Sequence, residues 1–423
     1  MSFTSCLEGT RWSDVHTATA CAFLAGTAMF TADFALALRL QTEGSGGAAV
    51  AAVIICATLP LVLLAPAAGR MADRFDSRIL MAASGALQTA SILAMAFTSD
   101  LLGLLGLVVL NATGTAVLQP AVGALTPLMA TRADLPRALA FTSTGTLLGA
   151  AAGPAAAGLV VGAHGAGAAL LGAAACAALR SLLCLDIRTR RGGIRREAEV
   201  RTARVSWSLR SDKLLLVMAL GLGAVLTALC AVNVLSVFLI RETYGATESA
   251  YGLVRASWTV AMIAGAWIAA AIVRRMARDS QLAWLHFISL AGVGLTVLAQ
   301  GLPWSTVLIV AALNLFGGLF NAGQNAALQN AVARRVAESL RGRANAAVGA
   351  CVNAGQLLGF LLGGALSTLL DVPAAFMLVG GFALAIVLVC APVVLRVLRN
   401  EDSVGVEADL GGPHRRPDAL ART

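Results

Sequence analysis

Twelve stretches of mostly apolar residues, each about 20 residues long, follow one another along the chain with short polar connections between them. A helix of that length crosses the roughly 30 Å hydrocarbon core of a bilayer. With 58% hydrophobic and 13% charged residues among 423, the chain has too little polar surface to cover a soluble body. We therefore predict an all-α membrane protein with twelve transmembrane helices, at residues 18–40, 47–68, 79–98, 101–123, 141–161, 165–186, 214–240, 251–273, 281–301, 305–327, 346–369 and 373–396.

Lys and Arg are distributed unevenly among the connections. Of the 31, all but Arg39, Arg180, Arg241 and Arg255 lie in the tails or in connections that follow even-numbered spans. Because cytoplasmic loops retain positive charge, both termini are predicted to be cytoplasmic in a multi-pass protein of the cell inner membrane. Residues 1–17 carry charges and no cleavage-like site, which indicates a cytoplasmic segment rather than a removable signal peptide.

The longest polar connection, residues 188–213, divides the spans six and six. It is basic and is predicted to be a cytoplasmic loop that tethers an N-terminal half at 18–187 to a C-terminal half at 214–396. Contact with anionic lipid headgroups explains its charge better than a specific binding patch. The tail at 397–423 is rich in Gly, Pro and charge, so we predict that it is cytoplasmic and disordered.

The two halves resemble each other at an offset of 206 residues. Arg137 then falls on Arg343 in an equivalent connection, and glycines of span 5 fall on glycines of span 11. Because loops and spans share one offset, we predict two six-helix halves related by a pseudo-twofold repeat. The matched glycines are Gly149 with Gly355, Gly153 with Gly359, and Gly158 with Gly364.

A charged motif follows span 2. It runs Gly69-Arg-Met-Ala-Asp73-Arg74-Phe-Asp-Ser-Arg78 and resembles motif A of the major facilitator superfamily, with Asp76 where the family has its second glycine. Asp73 is of a type that caps helix N-termini and pairs with arginine. The resemblance implies that Gly69, Asp73, Arg74 and Arg78 form a latch between the two halves in the outward-facing state.

Span 5 is rich in glycine and contains a Gly-Pro step. Gly149, Gly153-Pro154 and Gly158 resemble motif C, which is typical of exporters in the same superfamily, although plain helix packing explains the glycines equally well. Asn111 and Gln119-Pro120 give a looser resemblance to the enterobactin-exporter-like branch. These resemblances imply the major facilitator fold, with alternating access to a substrate site near the midplane.

Asp33 is the one acidic residue that lies deep within a predicted span. It falls in the outer half of span 1. An acid removed from water favours its neutral form, and such a group suits reversible proton binding. We therefore predict proton coupling at Asp33, with a purely structural hydrogen bond as the alternative.

Other polar residues within the spans are candidates for the substrate cavity. Arg180 and Arg255 are expected to snorkel to the inner and outer interface respectively, but Arg255 would meet Asp33 or an anionic substrate if it faced the cavity. Amides recur at helical spacing in spans 10 and 11, where lining a substrate path and joining helices are equally consistent with the pattern. The predicted cavity residues are Asn111, Gln119, Arg255, Asn321, Gln324, Asn325, Asn353 and Gln356.

The sequence gives little support for enzyme chemistry. Its four histidines are scattered, and it contains neither a phosphate-binding loop with its Lys nor a GxSxG elbow. We predict no catalytic residue, no metal site, no cofactor and no nucleic-acid partner.

The predicted function is secondary active transport. We expect a proton-coupled exporter of small, partly hydrophobic molecules such as an antibiotic, a toxic metabolite or a siderophore. Its partners would be that substrate, protons and membrane lipid, and the chain would act as a monomer. A lipid or lysolipid flippase on the same fold and a non-transporting membrane receptor are the alternatives.

Overall fold

A computed structural model describes residues 9–64, 67–68, 70–71, 75–131, 134–189, 208–337 and 340–410, with the backbone alone at 119–124, 126–127, 136, 342–343 and 398–410. Long helices make up almost all of it. They are α1 (Trp12–Thr42), α2 (Gly46–Leu63), α3 (Ser77–Met95), α4 (Leu101–Met129), a continuous stretch Leu135–Leu183, α7 (Lys213–Phe238), α8 (Glu248–Val273), α9 (Asp279–Gln300), α10 (Val307–Arg335), α11 (Arg341–Leu369) and α12 (Val372–Leu410).

The stretch Leu135–Leu183 contains two membrane spans. Its backbone leaves helical geometry at Gly165, where φ is 84° and ψ is 168°. Glycine alone adopts this region readily because it has no Cβ. We number the two arms α5 (135–164) and α6 (166–183). The described residues thus contain eleven apolar helical segments, one of which holds two spans, and the predicted twelve helices are confirmed.

Polar caps fix where several of these helices begin. The side chain of Asp76 accepts a hydrogen bond from the backbone N–H of Arg78, Asp100 accepts one from Gly103, and Asp212 accepts one from Leu215. Each cap satisfies a backbone donor that has no partner within the helix.

The internal repeat is visible in the helix bounds and in the packing. An offset of 206 takes α4, Leu101–Met129, onto α10, Val307–Arg335. A Cβ on Gly153 of α5 would lie 2.6 Å from Phe30 Cβ of α1, and one on Gly359 of α11 would lie 2.5 Å from the Thr227 oxygen of α7. The predicted pair of six-helix halves is therefore confirmed by two equivalent close helix contacts.

The two halves meet at the end of the bundle that lies away from both termini, which we name the closed end. There α2 packs on α11, where Gly47 contacts Ser367, and the Gln41 amide donates to Glu242 at 3.1 Å. One buried apolar cluster contains Leu36 and Val53 of the N-terminal half together with Val237 of the C-terminal half. At the opposite, open end the N-terminal half has an apolar cluster formed by its own residues alone.

The last helix is longer than predicted. α12 continues to Leu410, beyond the expected span end at residue 396. The helix-breaking Gly411-Gly412-Pro413 comes only after this point. The rest of the predicted tail, and most of the predicted loop 188–213, lie outside the described residues.

Glycine packing on α11 gives a direct test of this architecture. Gly359→Ala should lower the apparent melting temperature in detergent by about 3 °C or more, because the new Cβ would collide with the Thr227 backbone oxygen. The matched control is Gly349→Ala on the same helix, where nothing lies within 4 Å of the added Cβ. Because alanine is intrinsically the better helix former, that control should be neutral or stabilising. Equal melting temperatures for the two variants would contradict the close contact of α11 with α7.

Candidate functional site

A cavity of about 420 Å³ lies inside the N-terminal half, between α1, α3, α4, α5 and α6; we name it the N-half cavity. It extends from Met129 and Ile187 at the open end to Phe30 and Asn111 deeper in the bundle. Its wall is mainly alanine, leucine, isoleucine and methionine, and its volume lies in the range of small-molecule sites. Polar side chains contribute to the wall at Gln88, Asn111, Thr115, Thr142, Ser143, Thr146 and Arg180.

Arg180 is the charged member of this wall. It is 3% exposed, and its Nη2 donates a short hydrogen bond to Gln88 Oε1. The Gln88 amide in turn donates to Thr115 Oγ1 at 2.5 Å. Arg180 Nε and Asn111 Oδ1 are buried without a hydrogen-bond partner among the described residues. A polar network thus joins α6, α3 and α4 beside the cavity with unused hydrogen-bonding capacity.

The expectation that Arg180 snorkels to the inner interface is wrong. Its side chain points into the protein because of its helical phase: Ala173, Ala177 and Cys184, at seven, three and four residues from Arg180, are buried on the same face. Gly85 lets α3 approach α6 closely beside the guanidinium, since a Cβ there would collide with Ser181 Oγ and lie 3.3 Å from Arg180 Nη2.

Asp33 lies one helical turn beyond the cavity. Ala22, Ala25 and Met29 of α1 line the N-half cavity, and Asp33 continues that stripe toward the closed end. Asp33 is half-buried as a residue, and its carboxyl group makes no hydrogen bond or ion pair with any described residue. The alternative of a structural hydrogen bond therefore finds no partner within this part of the chain.

Arg255 of α8 also turns toward protein rather than toward the outer interface, so the second snorkelling expectation is wrong. Its Nη2 donates to Asn233 Oδ1 of α7 at 2.7 Å. Its guanidinium carbon lies 5.6 Å from the ring centre of Phe34, within the range of a cation–π contact. Phe34 also packs on Tyr251 at 5.6 Å. Arg255 thus bridges the two halves through an aromatic ring instead of pairing with Asp33.

The amides of α10 divide between two environments. Asn325 is exposed and lines a second cavity of about 500 Å³ between α7, α10 and α11, while its Nδ2 donates to Asn321 at 2.9 Å. Gln324 is 1% exposed and is buried between the helices, and its Oε1 has no hydrogen-bond partner among the described residues. Asn353 and Gln356 of α11 are half-buried and line neither of these cavities.

The glycines of α5 serve two contacts. Gly149 and Gly153 pack on α1, and the Thr31 hydroxyl donates to the Gly153 carbonyl at 3.2 Å. Pro154 and Gly158 face the other half, where they pack against Gly252 of α8. Of the motif C residues, Pro154 and Gly158 therefore lie at the junction of the two halves.

The motif A prediction is largely outside the described residues. Gly69, Asp73 and Arg74 fall there, and so does the side chain of Gln119. Arg78 is described, and its backbone N–H is capped at 2.8 Å by Asp76, the residue that departs from the family pattern.

Sequence reasoning missed Gln88 and His286. Gln88 belongs to a stripe of buried polar residues on α3, with Ser84 and Ser91, and that helical spacing was the available signal. His286 is fully buried, with its two ring nitrogens each 3.2 Å from a backbone carbonyl oxygen, of Met218 and Gln324. No group of three or more His, Cys, Asp or Glu among the described residues could hold a metal ion.

Solved structures of several transporters resemble this fold. They include a bacterial homologue of the iron transporter ferroportin in an inward-facing state, 18% identical, with a TM-score of 0.71 over 91% of this chain and 98% of the other. They also include the nucleoside transporter NupG, 15% identical, with a TM-score of 0.70 over 90% and 99%. A third is a bacterial homologue of the human lysosomal transporter Spinster, inward-facing and unoccupied, 13% identical, with a TM-score of 0.72 over 92% and 97%.

These structural likenesses establish the fold, and none of the curated proteins matches the sequence. The profile of one family matches twice, over residues 18–313 and 220–417. This extent, together with the twelve-helix fold, shows that the chain belongs to the Major Facilitator Superfamily.

Proposed function

We propose that the protein is a secondary active exporter of small, partly hydrophobic molecules. The observation that carries this proposal is the mainly apolar N-half cavity, which reaches the open end of the bundle while the two halves are joined at the closed end. Such an arrangement is one of the two states that alternating access requires. The distribution of Lys and Arg favours a cytoplasmic open end, so this state would load substrate from the cytoplasm.

The same proposal places the protein in the inner membrane as a monomer with both termini cytoplasmic. Residues 18–187 and 214–396 would move as the two halves around the loop 188–213. The contacts of Pro154 and Gly158 with α8 support this movement, because closely packed small residues form an interface that can separate without rearranging long side chains. Motif C, to which these residues belong, also favours export over import.

Proton coupling is assigned to Asp33 in this proposal. The carboxyl group lies between the cavity and the closed end and has no partner among the described residues. Opening of the closed end would let Asp33 take up a proton from outside, and the N-half cavity one helical turn away, which reaches the open end, would give a route for releasing that proton to the cytoplasm. Asp33 would thus carry a proton inward as substrate moves outward.

Substitution of Asp33 tests the coupling assignment. Asp33→Asn should abolish uphill efflux driven by an imposed pH gradient in inverted vesicles, since asparagine preserves size but does not titrate. Substrate exchange without a gradient should persist, because that exchange needs no net proton movement. Asp33→Glu is the matched control and should retain partial activity with a shifted pH optimum. Gradient-driven efflux by Asp33→Asn at the wild-type rate would place the coupling site elsewhere.

A disulfide across the junction tests opening of the closed end. A Cβ on Gly162 of α5 would lie 3.1 Å from Ser249 Oγ of α8, so the pair Gly162→Cys and Ser249→Cys is close enough for a disulfide. Oxidation should lock the closed end and stop efflux of a substrate identified by screening, and a reductant should restore it. Each single variant, oxidised in the same way, should keep transporting. A fully cross-linked protein that still transports would argue against separation of the two halves at this end.

A further inference from the structure

We propose that Arg180, held by Gln88, is an anion subsite for the transported molecule, which would be an organic acid with an apolar body. The inference rests on the proposed transport function and names its substrate class. Its starting point is a buried arginine side chain in the wall of the N-half cavity.

No acidic side chain among the described residues forms an ion pair with Arg180. The described residues contain ion pairs between Arg39 and Glu43, Arg241 and Glu248, and Arg335 with Asp212 and Asp279, and none of them involves Arg180. An ionised side chain within a membrane is retained where it meets an opposite charge, water or a substrate. A bound anion would supply that opposite charge.

The hydrogen-bonding capacity of Arg180 is also only partly used among the described residues. A guanidinium has five N–H donors; Gln88 accepts from Nη2, and Nε is buried without a partner among the described residues. The planar fork of arginine fits the two oxygens of a carboxylate. Asn111 Oδ1, also buried and unpaired in this part of the chain, could accept from a hydroxyl or N–H group of the same ligand.

The Gln88 side chain, which also lines the cavity, fixes the orientation of the guanidinium. Its amide N–H groups are directed to Thr115 Oγ1 at 2.5 Å and to the Asn111 carbonyl at 3.5 Å, which leaves its oxygen for Arg180. Gly85 lets α3 approach α6 closely beside Nη2. The arginine is therefore positioned before any ligand arrives, which lowers the entropic cost of binding.

The rest of the cavity selects the body of the molecule. Met29, Met81, Ile92 and Leu118 line it, and the volume of about 420 Å³ accommodates a fused aromatic ring system. An acid without an apolar body would leave this wall unfilled, and an apolar cation would meet the positive charge of Arg180. The chemistry of the site therefore favours an amphipathic carboxylate.

The test uses the purified full-length protein and three probes of matched shape: 1-naphthoate, neutral 1-naphthamide and cationic 1-naphthylmethylamine. Binding is measured by calorimetric titration in detergent. The wild-type protein should bind naphthoate at least about tenfold more tightly than either of the other two probes. Arg180→Gln should reduce this preference to about twofold or less, and Arg180→Lys should retain part of it. Equal binding of the three probes, or no binding of naphthoate, would overturn the proposal.

Gln88→Glu keeps the test decisive if Arg180→Gln fails to fold. The new carboxylate would form an ion pair with Arg180 in place of a bound anion. The variant should therefore melt at a higher temperature and bind naphthoate at least about tenfold more weakly. Arg396→Gln, which removes an exposed positive charge from α12, is the control and should bind as the wild type does. Unchanged naphthoate binding in Gln88→Glu would show that Arg180 only joins helices. Because these binding measurements need no gradient, their outcome does not depend on whether export is coupled to protons.

Discussion

Close contact between helix backbones is the interaction on which this structure depends. Lipid tails are as apolar as the side chains they meet, so the helices gain little from burying leucine against leucine and instead associate where small residues allow tight packing. Gly149 and Gly153 provide that contact between α5 and α1, and Gly359 provides it between α11 and α7. The repeat therefore preserves the contact that builds each half.

The same two helices also hold the halves together. Beyond the glycines that face α1, α5 presents Pro154 and Gly158 to α8, while α11 presents Gly364 to α2. Each helix thus has one segment that is part of the rigid half and another that forms the separable junction. Backbone contacts of this kind are extensive when closed, yet few side-chain hydrogen bonds are lost when they part. This combination suits an interface that must open repeatedly.

The sequence predicted the features that depend on composition and spacing alone. Span number follows from the thickness of a bilayer, and the repeat follows from matched glycines such as Gly153 and Gly359. The directions of the Arg180 and Arg255 side chains were predicted wrongly. Those predictions rested on depth along the helix, whereas helical phase and neighbouring helices decide where a side chain points. The role of Gln88 could not be deduced without knowing that α3 packs against α6 and brings it to Arg180.

Arg180 and Asp33, two ionisable residues inside the N-terminal half, lie in different surroundings, and this difference matters for proton coupling. Arg180 lies beside the cavity with Nε unpaired among the described residues, whereas Asp33 lies nearer the closed end with no hydrogen-bond donor in that part of the chain. Phe34, the neighbour of Asp33, is held against Arg255 of the opposite half while that end is closed. Separation of the halves would remove this ring from the guanidinium and admit water to Asp33 in the same movement. In the proposed exporter, the contact that closes the substrate path therefore also controls access of protons to Asp33. Phe34 makes that contact, and Asp33 is the adjacent residue of the same helix.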